Sequence, residues 1–127
     1  MAALDPDTLA LLKRLGKAFN AGDADAILAC VTDDFEWIMA RGPEAPDGRV
    51  VRGREAVREA LAARDRELRN IRFSEAEVFP AGDRVVGTYR MTATRADGTP
   101  VDVRGCDLYA IRDGLIARKD SYWKQIA

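Results

Sequence analysis

Three turn signals divide the second half of this 127-residue chain into four long stretches, and they constrain its fold more than any other feature. Gly82-Asp83, Asp97-Gly98 and Asp113-Gly114 are dipeptides whose glycine takes the positive φ of a tight hairpin and whose aspartate tolerates it or hydrogen-bonds the turn. The stretches that they bound, residues 71–79, 84–95, 99–112 and 115–126, show strand period. Strands joined by such short connections run antiparallel, so a four-stranded meander is predicted.

The first half reads as helix, helix, strand, loop, helix. Asp5 caps and Pro6 opens a helix carrying Leu9, Leu12, Leu15 and Phe19 at helical spacing, which ends near Ala21-Gly22. Asp23 caps a shorter helix to about Val31, followed by a strand over residues 35–40 with Phe35, Trp37 and Met39 on one face. Residues 41–48 hold two prolines and two glycines and form a loop. Gly53-Arg54-Glu55 opens the third helix, whose stripe is Val57, Ala60, Leu61, Arg64 and Leu68. Its arginines, Arg54, Arg58, Arg64, Arg66 and Arg69, alternate with acidic residues as a solvated face does. Helices first and meander second predict an α+β fold, with three helices packed on one face of a strongly curved antiparallel sheet, in one domain over residues 1–127.

Twenty basic and 21 acidic residues give a net charge of −1 with no basic field, so neither nucleic acid nor an anionic membrane surface is an expected partner. No apolar run is long enough to span a bilayer, and Met-Ala-Ala-Leu-Asp-Pro lacks the layout of an export signal, so a cytoplasmic location is expected. Cys30 and Cys106 fit no metal spacing and read as small buried hydrophobes. Histidine is absent, which leaves carboxylates, Lys, Arg, Tyr, Ser or bound water for any catalysis. Neither metal nor organic cofactor is expected.

Strand pairing brings candidate groups together. With Asp97-Gly98 as a two-residue turn, Arg90 pairs with Gly105 and Thr88 with Asp107, which sets Arg90 diagonal to Asp107. With Arg112-Asp113-Gly114 as a three-residue turn, Asp107 pairs with Lys119, and Lys119, Ser121 and Trp123 share its face; a two-residue turn substitutes Asp120.

Four stretches carry a family likeness: Phe19-Asn20-Ala21-Gly22-Asp23 with Asp33-Asp34, Gly53-Arg54-Glu55-Ala56, Arg112-Asp113-Gly114-Leu115-Ile116, and Asp120-Ser121-Tyr122-Trp123. In order and spacing they resemble the nuclear-transport-factor-2-like superfamily, which includes ketosteroid isomerases, limonene epoxide hydrolases and SnoaL-like polyketide cyclases. The resemblance implies a cone-shaped α+β barrel around an apolar cavity, and a homodimer through the convex sheet face. It favours the register with Lys119 inward. The isomerase base position falls at Met39 and its oxyanion-hole tyrosine at Leu15, while the oxyanion-hole aspartate has a counterpart at Asp107. The last-strand aspartate of the epoxide hydrolases falls at Ser121. Neither familiar catalytic set is complete, and the fold hosts binding proteins as well as enzymes.

The expected site is a cavity for a small hydrophobic molecule, lined by Leu15, Phe19, Trp37, Met39, Thr88, Tyr109, Ser121 and Trp123. Asp107 is its acid/base or oxyanion group, tuned by Lys119 and Arg90. The expected chemistry is cofactor-independent isomerisation, cyclisation or water addition. A non-catalytic ligand-binding protein using the same cavity is the alternative, and a third reading is a dimerisation module with a filled interior. Asp107, Arg90 and Lys119 read equally as a structural ion-pair cluster. Tyr89 and Tyr122 are expected on the convex face.

Overall fold

The computed structural model describes residues 4–125; Ile126, the expected end of the last strand, lies outside them. Helix α1 (Pro6–Ala21) starts where Asp5 accepts a hydrogen bond from the Thr8 amide at 2.9 Å and stops at Gly22, whose φ of 66° turns the chain out of the helix. Asp23 caps α2 (Ala24–Leu28) by accepting from the Ala26 amide at 3.1 Å. Strand β1 (Val31–Ile38) follows, then β2 (Val50–Arg52) and α3 (Arg54–Glu67). The meander is β3 (Leu68–Ala81), β4 (Arg84–Arg95), β5 (Pro100–Arg112) and β6 (Leu115–Gln125). Strand β2 falls between the expected loop, residues 41–48, and the third helix, where the sequence assigns no element; three residues are too few to show a period.

The strands form one open six-stranded sheet in the order β2-β1-β6-β5-β4-β3. The β1–β6 pair is parallel and makes the sheet mixed, because everything from β2 to β5 intervenes between the two strands as a long crossover. Strand β3 slips register twice, and Asn70 and Glu75 take positive φ of 54° within those slips. Such bulges bend and twist a strand. The Asn20 side chain clasps the bent strand, accepting from the Phe73 amide at 2.8 Å and donating to the Phe73 carbonyl at 3.1 Å.

Two hairpins decide which side chains face inward, and both differ from expectation. At the β4–β5 turn the Arg95 amide donates to the Thr99 carbonyl, which leaves a three-residue loop with Gly98 at φ 89°. The register is therefore one residue off the expected one. Tyr89, not Arg90, lies opposite Gly105, and Gly87, not Thr88, lies opposite Asp107. Tyr89 faces inward instead of onto the convex face. Thr88 and Arg90 face outward, where Arg90 binds Asp102 through two hydrogen bonds of 2.9 and 2.6 Å. The expected Arg90–Asp107 partnership is thereby excluded.

At the β5–β6 turn, Asp113 and Gly114 both take positive φ, 53° and 74°, forming a two-residue loop between Arg112 and Leu115. That loop alone turns Asp120 inward. A register shift after Ala110 leaves Ala117 without a partner and reverses the effect. Lys119, Ser121 and Trp123 consequently share the inner face, although Asp107 lies opposite Ser121 rather than Lys119.

The helices cover the inner face at the β1 and β6 side, where Leu11, Leu15, Phe19, Ile27, Phe35, Val57 and Ile116 form the main core. Each such side chain contributes about 1.5–3 kcal/mol by leaving water. A second cluster, Tyr89, Met91, Ala93, Val101 and Val103, lies further along β4 and β5 with Ile71, Phe73 and Trp123 against it. No helix among the described residues is long and apolar enough to cross a membrane.

Candidate functional site

The pairing of β4, β5 and β6 sets nine inner-face positions in a three-by-three grid. Val85, Gly87 and Tyr89 lie opposite Tyr109, Asp107 and Gly105, which lie opposite Lys119, Ser121 and Trp123. Asp107 is the centre, and Tyr89 and Lys119 occupy corners, the diagonal positions that long side chains bridge. The two glycines let the tyrosine rings lie flat. A Cβ on Gly105 would meet the Tyr89 ring at 2.1 Å, and one on Gly87 would meet the Tyr109 ring at 3.1 Å.

Four donors join one network as a result, three of them on Asp107. Tyr89 donates to Asp107 Oδ1 at 3.2 Å and Tyr109 donates to Oδ2 at 3.0 Å. Lys119 Nζ lies 3.3 Å from Oδ2 and donates to Ser121 Oγ at 3.0 Å. Trp123 Nε1 donates to the Tyr89 oxygen at 3.2 Å. Asp107 is 2% exposed and Lys119 7%. Trp37 on β1 lies opposite Lys119, and the ammonium stands 5.0 Å from the Phe19 ring centre and 5.5 Å from that of Trp37, a cation–π arrangement.

A cavity of about 490 Å³ opens beside this network, a volume typical of small-molecule sites. Of the expected wall, Phe19, Trp37, Met39, Lys119, Ser121 and Trp123 line it. Leu15 is packed in the main core, and Tyr109 lies behind the wall on Asp107. Thr88 and Arg90 are on the other side of the sheet. Asp107 is not at the cavity surface either; Tyr89, Lys119 and Ser121 stand between it and the space. The grouping of Asp107 with Lys119 thus holds, while the third partner is a pair of tyrosines in place of Arg90.

Sequence reasoning missed Tyr89 through the one-residue register error, and missed Arg64 by treating the α3 arginines as one solvated face. Arg64 lines the cavity with its side chain 14% exposed, and its place on the apolar stripe with Val57, Leu61 and Leu68 was the available signal. Among the described residues, no group of three or more Cys, Asp or Glu side chains converges as a metal site.

Burial first, and the Asp107 charge second, push the Tyr89 and Tyr109 phenols well above the ordinary tyrosine value of 10.0. The unfolded chain releases these protons near pH 10 and the fold retains them, so their contribution to stability is complete below that pH and is lost as pH rises toward the raised values. In an alkaline absorbance titration, two of the three tyrosines are expected to ionise only together with unfolding. Ionisation of all three near the ordinary value in the folded protein contradicts this.

Comparison with known proteins places the geometry in a family. No curated protein matches the sequence. A putative polyketide cyclase from Xanthomonas campestris pv. campestris superposes with a TM-score of 0.80 at 24% identity, over 93% of this chain and 90% of that one. TerC, co-crystallized with polyporic acid, gives 0.79 at 24% identity over 93% and 92%. A Catenulispora acidiphila protein with a ketosteroid isomerase-like fold, in complex with trimethylamine, gives 0.75 at 18% identity over 88% and 83%. At these identities the likeness shows the fold, a nuclear-transport-factor-2-like α+β cone with an open sheet. The model of the SnoaL-like domain matches residues 12–119, and the chain belongs to that family.

Proposed function

We propose that this protein is a cofactor-independent enzyme that moves a proton beside the carbonyl group of a small, mainly apolar molecule, as in isomerisation or cyclisation. The observation that carries the reading is the ammonium of Lys119 beside Ser121 at the cavity wall, with a buried carboxylate directly behind them. Ser121 accepts from Lys119, so its own hydroxyl proton points away from the ammonium, toward Tyr89, and in this reading it turns to a ligand. Lys119 and Ser121 together form a donor pair for a carbonyl oxygen that becomes an enolate oxygen.

In the proposed step the C–H electron pair becomes the C=C bond of the enolate, and the carbonyl π pair moves onto oxygen beside Lys119. The proton passes to the Tyr89 oxygen as the proton of Tyr89 passes to Asp107 Oδ1, along the existing hydrogen bond. Negative charge thereby leaves one neighbour of Lys119 and reappears on another, so the ammonium is paired throughout. Asp107 acts through Tyr89 and Lys119 and does not touch the substrate. The putative polyketide cyclases among the structural neighbours support this class of substrate.

Exchange of the α-protons of β-tetralone for deuterium, followed by NMR, tests the reading. Wild-type protein is expected to accelerate exchange over buffer, and Lys119→Met and Tyr89→Phe to lower that acceleration by roughly 100-fold or more each. Binding without acceleration supports the second reading, a ligand-binding protein, which the burial of Asp107 away from the cavity surface favours.

The proposal includes a homodimer through the convex face. Tyr122, 56% exposed, lies there beside half-buried Leu108 and Cys106 and supports it. Light scattering at micromolar concentration is expected to give the mass of two chains; the mass of one overturns the dimer.

A further inference from the structure

The cavity wall carries charge that the proton-transfer reading does not use. Arg41 and Arg49, from the segment between β1 and β2, line it together with Arg64 of α3 and Arg95 at the end of β4. Glu67 is the one acidic residue of that wall, and the charge of Lys119 is already matched by Asp107. Four arginines against one glutamate leave an excess of positive charge around one cavity, in a chain whose net charge is −1.

These arginines also lack the partners that others have. Arg52, Arg58, Arg90 and Arg112 each donate to a carboxylate. Among the described residues, no carboxylate lies within ion-pair distance of Arg41, Arg49 or Arg95, while Arg64 reaches only Asp65, at 3.6 Å. The Arg64 Nε is buried without a hydrogen-bond partner, and its guanidinium stands 5.6 Å from the Phe19 ring centre. A buried donor with no acceptor destabilises the fold by an amount that an incoming acceptor recovers.

The arrangement also has a direction. Tyr89, Met91 and Arg95 all line the cavity from β4. Arg95 lies six residue steps along the strand from Tyr89, about 20 Å of backbone at ~3.3 Å per step. Along β4, Tyr89 and Arg95 therefore stand at the two ends with Met91 between, while the Arg64 guanidinium shares the Phe19 ring with Lys119.

We propose that the ligand of this cavity is an elongated amphipathic carboxylate, its apolar body on Met91 and Phe73 and its acid group drawn to the arginine-rich wall of which Arg64 and Arg95 are part. The assignment rests on the reading of the cavity as a ligand site and specifies the ligand's charge. A planar carboxylate offers the fork geometry that a guanidinium binds through two hydrogen bonds.

Phenylbutyrate and phenylbutyramide test it, being alike in shape and different in charge. Trp37 and Trp123, the two tryptophans of the chain, both line the cavity, so their fluorescence reads occupancy directly. The carboxylate is expected to bind roughly tenfold tighter than the amide at low salt, with the margin shrinking as salt is added. Arg64→Gln and Arg95→Gln are each expected to reduce the margin. Should Arg64→Gln fail to fold, Arg95→Gln supplies the comparison. Equal binding of the two probes to the wild type, or a margin unchanged in the folded variants, overturns the proposal and leaves the cavity reading intact. Binding of neither probe removes both.

Discussion

Burying the carboxyl group of Asp107 costs free energy that only converging donors offset, and the inner face of β4, β5 and β6 is built around that requirement. Tyr89, Tyr109 and Lys119 meet it from three directions. None reaches the carboxylate without help from the backbone. The tyrosine rings lie down because Gly105 and Gly87 have no Cβ, and Lys119 faces inward because a bulge at Ala117 reverses the parity set by the Asp113-Gly114 turn. The polar network is thus a product of pairing register as much as of side-chain chemistry.

The same requirement separates the buried charge from the cavity. Asp107 stands behind the wall, and what the cavity meets is an ammonium, a hydroxyl and the edge of a phenol. Such a layout suits chemistry in which negative charge develops on the ligand, because the charge that positions Lys119 can be neutralised by a proton as the ligand's charge appears. Aromatic and aliphatic side chains follow, and guanidinium groups complete the wall. A polar floor, apolar side chains and guanidinium groups in one wall suit an amphipathic molecule.

Much of the fold was legible in the sequence because its signals are local. Asp5, Gly22 and Asp23 mark helix ends through hydrogen bonds to residues close by in the chain, and three glycine turns mark the hairpins. What the turns do not specify is parity. Asp97-Gly98 and Asp113-Gly114 have the same two residues, yet one belongs to a three-residue loop and the other to a two-residue loop. A change of one residue moves every side chain to the opposite face, and for this reason Arg90 and Thr88 were expected in a site from which they are excluded. Lys119, Ser121 and Trp123 were placed on the right face because the tighter turn and the bulge cancel. The parallel β1–β6 contact and the three-residue β2 depend on partners far away in sequence. Arg64 showed in the helical stripe as a lone charge among apolar residues, an anomaly that its burial now explains.

A double-mutant cycle on Asp107 and Lys119, read by denaturant unfolding, tests most directly whether the buried pair is the constraint on which the rest depends. Asp107→Asn leaves an ammonium buried without its counter-charge, and Lys119→Met leaves a carboxylate in the same position, so each single change is expected to destabilise by about 3–5 kcal/mol. The double variant has neither orphan and is expected to be more stable than either single one. Losses that simply add, to within about 0.5 kcal/mol, show two independent side chains and contradict the account.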